Sequence, residues 1–223
     1  MSPGWPVVLR DGPVVLRQLR MRDAGPWIEV RLRNENWLAP WESAPMEVSS
    51  LPFASRHSVQ DYLRLRRALR RQARLGVTLP FAIEVDGALA GQVTIFQIVR
   101  GASCSGLVGY WVDRRVAGRG VAPTAVALAV DHAFRRAGLH RVEAGVRPEN
   151  APSRRVMEKL GFRLEGCAAR SLVVDGEWRD HLTFALTVED VPEGLLQRLR
   201  AQYPVPAQRS VAARDAAVDR PNG

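Results

Sequence analysis

Apolar residues alternate weakly from Val14 to Leu19, which predicts a first strand. Asp23 then stands where a helix cap would, ahead of a helical pattern running to about Leu38 with Trp27, Val30 and Trp37 on one face. The stretch from Ala39 to Ser55 mixes Pro, Ser and aromatic residues and reads as a structured loop. Ser58 caps a second predicted helix ending near Gly76, with Val59, Tyr62, Leu63, Leu69 and Ala73 inward. Leu79–Val85 and Leu89–Val99 are apolar runs joined by Asp86-Gly87, a strong hairpin turn. Leu107–Val112 predicts another strand, followed by a charged, glycine-rich link from Asp113 to Gly120. A long apolar helix follows from Val121 to about Ala137, with Gly138 ending it. His140–Val146 is a short strand; Asn150 caps a helix to Leu160, closed by Gly161. Arg163–Val174 and Glu177–Thr187 form a last hairpin around Asp175-Gly176, and Glu193–Ala201 offers one or two helical turns.

This order predicts a mixed α/β fold with one central sheet. Residues 14–191 form the expected domain, with residues 1–13 as an N-terminal extension and 192–223 as a C-terminal one, without periodicity and expected to be disordered from about Pro204. Composition supports a packed core: of 223 residues, 46% are hydrophobic and 25% charged. No apolar stretch is long enough to span a bilayer, and Met1–Arg10 lacks a secretion signal, so a cytoplasmic protein is expected. Cys104 and Cys167 make no C-x-x-C pair and read as free core thiols.

The net charge of +9 changes the picture more. Lys159 is the one lysine, so the basic charge is almost all arginine. Six arginines crowd the second helix (Arg64, Arg66, Arg67, Arg70, Arg71, Arg74) and read as a solvated face, with an anionic partner surface as the alternative. No zinc spacing, RNA-binding aromatic motif or helix-turn-helix signature accompanies them, so direct DNA binding is not expected. A phosphate-bearing cofactor fits the charge better.

Gly118-Arg119-Gly120-Val121-Ala122 leads from a strand into a helix. Glycines allow close backbone approach, and the helix start offers unpaired N–H groups and partial positive charge, together a site for phosphate. It is neither G-x-G-x-x-G, because Pro123 takes the third glycine's place, nor a Walker loop. Thirty residues on, Asn150-Ala-Pro-Ser153 opens the helix that closes with Lys159-Leu-Gly-Phe162.

Val108-Gly-Tyr-Trp-Val112, the glycine loop, His140-Arg-Val-Glu-Ala144 and Asn150-x-x-Ser153 with its closing Gly-Phe resemble, in order and spacing, the motifs of GNAT acetyltransferases. The Gly-Tyr-Trp strand, the Asn-x-x-Ser pair and Gly176-Glu-Trp-Arg-Asp180-His resemble the Rim-type (RimJ/RimL-like) branch, which acetylates ribosomal-protein N-termini. The resemblance implies a single domain with a mixed, mostly antiparallel sheet flanked by helices. It implies acetyl-CoA as cosubstrate, its pyrophosphate on the backbone of Ala117, Gly118, Arg119, Gly120, Val121 and Ala122, with Pro123 and Thr124 entering the helix. Ala117 departs from the Gln or Arg usual in the family; Arg114, Arg115 or Arg119 could supply a guanidinium instead. The pantetheine arm would lie along Tyr110, Trp111 and Val112 and bond to Asn150. An N–H near Trp111–Val112, if the strand bulges there, would stabilise the developing oxyanion by roughly 3 kcal/mol.

The tyrosine that many relatives use to protonate the leaving thiolate is Met157 here, so the resemblance points to Ser153. Asp180 is the implied base and Glu42 the second candidate, while His181 reads as a packed strand residue. An α-amine, with pKa about 8, needs only a modest base, whereas a lysine near 10.4 would cost about 3 kcal/mol more. The expected partners are therefore acetyl-CoA and a protein or peptide N-terminus, ribosomal in the leading case, with no metal; the protein would be a monomer or homodimer. A small-molecule amine acceptor, or an acetyl-CoA-sensing module without turnover, are the alternatives, the latter favoured by Ala117 and Met157.

Overall fold

The computed structural model describes residues 4–204. Its elements are β1 (Leu9–Asp11), β2 (Val14–Arg17), α1 (Ala24–Arg33), α2 (Glu35–Leu38), α3 (Met46–Ser49), α4 (Val59–Arg74), β3 (Leu79–Val85), β4 (Ala88–Val99), β5 (Ser105–Val112), α5 (Val121–Arg135), β6 (Arg141–Val146), α6 (Ala151–Leu160), β7 (Arg163–Val174), β8 (Glu177–Thr187) and α7 (Leu195–Gln202). The strands form one sheet in the order β1-β2-β3-β4-β5-β6-β8-β7. Every neighbouring pair is antiparallel except β5 and β6.

Helices cover both faces. α5 is buried almost all round, from Val121 to Phe134, and with Met157 and Leu160 of α6 and Leu195 and Leu199 of α7 fills the larger core. Trp27 of α1 and Tyr62 of α4 pack with Leu19, Ala82 and Leu89 on the other side, and Trp111 joins them. The described parts of the two stretches expected as extensions, 4–13 and 192–204, pack against the rest of the fold. Leu9–Asp11 pairs with β2, Trp5 is buried, and α7 packs under α5 with Leu195 N–H on Asp131 at 2.7 Å. The tail expected to be disordered lies, from residue 205, outside the described residues.

The helix expected to run unbroken from Asp23 to Leu38 stops at Asn34. The buried Asn34 amide turns back to donate to Val30 O (2.7 Å) and to Asp113 Oδ1 (3.0 Å), while its oxygen accepts the Arg114 N–H (3.0 Å). Helix continuity yields to a tie between α1 and the end of β5. Asp23 does not cap α1 either: it accepts the Arg20 N–H at 2.7 Å and forms a buried pair with Arg17. Val59, expected inward, is exposed, as the first residue after the Ser58 cap. The loop 39–55 holds α3 and two short 3-10 turns. Both cysteines are free, yet neither is in the core: Cys167 is exposed and Cys104 half-buried.

Candidate active site

The cleft originates in a failure of pairing. β5 and β6 are bonded only over Ser105↔Arg141, Gly106↔Val142 and Leu107↔Glu143, and then part. From Val108 to Val112, β5 keeps β4 on one side and has no strand on the other. The opening is a cleft of about 1130 Å³.

Which backbone groups face it follows from the register. Asp113 N–H donates to Ala90 O at 2.7 Å, and antiparallel pairs alternate between bonded and non-bonded. The pairs Gly91↔Val112 and Val93↔Tyr110 are therefore non-bonded, so Val112 and Tyr110 turn their N–H and C=O groups away from β4. The Trp37 indole N–H, which donates to Val112 O at 3.2 Å, confirms the direction. No bulge is needed to free these donors, and none is present: pairing is continuous from Gly91↔Val112 to Phe96↔Leu107, and the shift comes beyond Phe96.

Asp113 anchors the next turn. It is buried, and accepts from Arg33 Nη2 (2.5 Å), Asn34 Nδ2 (3.0 Å) and the Arg115 N–H (3.1 Å). Burial alone would raise its pKa; these donors outweigh burial and hold the carboxyl below the ordinary range. Gly118 and Gly120 follow with φ of 77° and 78°, the left-handed region that side chains disfavour. Gly120 is the N-cap of α5, and the first intrahelical bond runs from Thr124 N–H to Gly120 O. The N–H groups of Gly118, Gly120, Val121 and Ala122 have no acceptor among the described residues. Pro123 sits where an N–H would be unpaired anyway, so it costs the helix nothing. The result is an array of backbone donors at a helix start, a cradle suited to a diphosphate.

Most residues singled out from sequence meet here. Tyr110, Trp111, Val112, Ala117, Gly118, Gly120, Val121, Ala122, Pro123, Asn150, Ser153 and Glu42 line the cleft. Arg119 and Thr124 do not. Arg119 is exposed, and the buried Thr124 hydroxyl donates to Gly120 O (2.8 Å) and accepts from Arg200 (2.9 Å). Asp180 is also outside the lining: it is exposed, and its Oδ1 accepts the Arg170 N–H at 2.7 Å, stabilising an irregular stretch of β7 where Arg170 has φ of 48°.

Asn150 caps α6 by accepting the Ser153 N–H at 3.1 Å. That uses the amide oxygen and leaves the Nδ2 hydrogens for a ligand. The Ser153 hydroxyl does not cap; it lies 2.8 Å from the Tyr110 hydroxyl. Burial, the larger effect, raises the Tyr110 pKa well above the usual phenol value, against the smaller opposing pull of Ser153. This pair was not legible in the sequence, being 43 residues apart on a strand and a helix.

The far wall is an aromatic box around a cation. Arg31 is buried, its guanidinium 5.4, 5.1 and 5.2 Å from the ring centres of Trp27, Phe53 and Trp111. It donates to His57 Nε2 at 3.0 Å and pairs with Glu42. Burial lowers its pKa, which Glu42 partly restores. Glu42 Oε2 is buried and has no partner among the described residues. His181 lines the cleft as well. Its Nδ1 lies 3.0 Å from Arg179 O and 3.3 Å from Ser171 Oγ; because the nearer carbonyl can only accept, the geometry favours the hydrogen on Nδ1 and the lone pair on Nε2. Burial lowers its pKa, leaving a neutral imidazole at pH 7.

Residues 14–163 match the family model described as "Acetyltransferase (GNAT) domain". The chain is 29% identical over 190 residues to the [ribosomal protein uS5]-alanine N-acetyltransferase of Escherichia coli, covering 84% of this chain and 94% of that protein. It is 45% identical over 105 residues to the Bacillus subtilis protein named "Probable N-acetyltransferase YjcK"; that match covers 47% of this chain and 58% of the relative, little more than half its length. Among solved structures, Mycobacterium smegmatis RimJ in complex with CoA-disulfide superposes with a TM-score of 0.85 at 44% identity, over 91% of this chain and 97% of that one.

Proposed function

The chain belongs to the GNAT family of acetyltransferases, with acetyl-CoA as cosubstrate and a relationship to the ribosomal-protein N-acetyltransferases, and from that premise we propose that its acceptor is the N-terminal α-amine of a ribosomal protein. The observation that supports an amine acceptor is the buried Oε2 of Glu42, which has no partner among the described residues, in the wall of the cleft; the preference for an α-amine rests on the relationship to ribosomal-protein N-acetyltransferases. An incoming α-ammonium supplies the hydrogen that this oxygen lacks, and the aromatic surroundings strengthen the attraction by excluding water.

The residues divide the work along the cleft. The N–H groups of Gly118, Gly120, Val121 and Ala122 hold the diphosphate, and the cleft-facing N–H groups of Tyr110 and Val112 align the pantetheine and its thioester. Asn150 Nδ2 adds a donor to the same arm. Negative charge develops on the thioester oxygen during attack, and the Val112 N–H is aimed to stabilise it. His181 Nε2, directly or through water, takes the amine's proton. A neutral, buried imidazole is sufficient because an α-amine with pKa about 8 is already partly deprotonated at neutral pH. Glu42, tied to Arg31, orients the amine. Ser153 donates to the departing sulfur, with Tyr110 behind it. The cytoplasm, where ribosomal proteins are made, is the compartment this reading requires.

The test mixes the protein with acetyl-CoA and synthetic peptides copying ribosomal-protein N-termini that begin with Ala or Ser. Thiol release and the mass shift are followed, with lysine-bearing peptides blocked at the α-amine and small polyamines as competitors. Transfer to the α-amine at a higher kcat/KM than to the competitors is expected. Preference for polyamines or lysine side chains would replace the acceptor assignment.

A further inference from the structure

Several arginines of the fold have an acidic partner: Arg17, Arg33, Arg141, Arg163 and Arg200 each lie against an aspartate or glutamate. The outer face of α4 instead gathers arginines on one stretch of helix. Arg67, Arg70, Arg71 and Arg74 are exposed, and none has a carboxylate partner among the described residues; the ion pair on this helix is Arg64–Asp61 at 3.3 Å. Their spacing of three, four and seven puts the guanidinium groups on one stripe, where like charges work against the helix. α4 is held instead by its inner face, through the fully buried Tyr62 and Ala73, and by the Ser58–Asp61 capping box. With Arg66 and Leu75 the stripe lines a shallow depression of about 500 Å³. Arg66 Nε also donates to Leu19 O at 3.1 Å, fastening beside the stripe the turn that carries the exposed Arg20 and Arg22.

We propose that this stripe is a docking surface for the phosphate backbone of structured RNA. Guanidinium forks match phosphate oxygens in pairs, and the four arginines span about 10 Å of helix, a row suited to a regularly repeating anion. The apolar side of α4 is largely spent on the core, and the stripe has only Leu75 beside it, too little apolar surface to insert into a lipid surface. A protein partner would need apolar or aromatic anchors at the centre of the contact, and the depression presents Leu75 alone. The choice of RNA over DNA rests on the ribosomal acceptor proposed above. α4 packs on α1 through Tyr62 and Trp27, whose rings are 5.5 Å apart, and α1 carries Arg31 into the cleft wall. RNA docked there lies behind the acceptor wall and leaves the cleft open.

The experiment measures binding of the full chain to a fluorescein-labelled RNA duplex, and to a DNA duplex of the same sequence, across a salt series. Wild-type protein is compared with the combined variant Arg67→Gln, Arg70→Gln, Arg71→Gln, Arg74→Gln. RNA affinity of the wild type should fall steeply with salt. The variant should bind at least tenfold more weakly at low salt, with a log–log slope flatter by about 3.6, because four phosphate contacts are removed. Its melting temperature should equal or slightly exceed that of wild type, because repulsion along α4 is relieved, and its acetylation of free peptides should match wild type. Equal RNA affinity of the two proteins overturns the proposal. So does DNA binding as tight as RNA binding, or a preference for anionic vesicles or polyglutamate. Failure of peptide acetylation with RNA binding intact would fell the acceptor assignment and leave the docking surface standing.

Discussion

Ser153 and Tyr110 exemplify chemistry held in a distance between two side chains. The Tyr110 phenol is kept protonated by burial, so it can donate to Ser153 and leave the serine hydrogen directed elsewhere. Ser153→Ala should lower kcat on the order of a hundredfold while the KM for acetyl-CoA changes little, because the lost interaction develops only as the thiolate leaves. Tyr110→Phe should lower kcat less, since the serine remains but is no longer oriented. Steady-state kinetics with both substrates varied would separate these effects. A Ser153→Ala enzyme with normal kcat and reduced stability would make the serine a packing residue. The motif Asn150-x-x-Ser153 identified the serine from the sequence; nothing in it joined the hydroxyl to Tyr110. Asp180 lies outside the cleft lining for a related reason. A carboxylate on a terminal hairpin has the right chemistry for a base, but the positive φ of Arg170 and its N–H claim that oxygen, which local sequence does not disclose.

At the level of elements, the sheet and its helices were largely legible because their periodicities are strong. The hairpins at Asp86-Gly87 and Asp175-Gly176, the capped α4 and α6, and the apolar α5 all carry local signals that agree with their surroundings. The failures lie where a tertiary bond outweighs a local preference. Asn34 interrupts α1 because its amide satisfies Val30 O, Asp113 and Arg114 together. Asn34→Ala should cost about 1–3 kcal/mol, since it leaves buried polar groups without partners. Urea denaturation would measure this. It should also weaken acetyl-CoA binding, because Asp113 sets where the glycine loop begins. An unchanged denaturation midpoint would mean that water replaces the amide and that the break in the helix has another cause.

For the whole molecule, three histidines set an acid limit. His57, His132 and His181 all have pKa values lowered, in each case chiefly by burial. A chain unfolded below about pH 6.5 protonates them freely, while the folded chain resists, so the unfolded state binds more protons. Stability is therefore full above about pH 6.5 and declines as pH falls from there toward the depressed folded values. Thermal melts from pH 8 to 5 should record this decline before the carboxylates titrate, and His132→Gln should reduce it. A melting temperature constant down to about pH 4.5 would contradict the assignment.

A sheet whose neighbouring strands stop bonding midway has a gap in its own hydrogen-bond ladder. The cleft-facing amides of Tyr110 and Val112 have no strand opposite them on the β6 side. On the proposed function, coenzyme A, with two amides of its own in the pantetheine arm, would serve as a surrogate strand as well as a cargo carrier, completing the ladder that the polypeptide leaves unfinished. Amide exchange at Tyr110 and Val112 should slow when coenzyme A is added, and Gly120→Asp, which sets a carboxylate in the phosphate cradle, should cancel that slowing. Exchange at these two amides indifferent to the cofactor would mean that the gap in the ladder is filled by nothing but water.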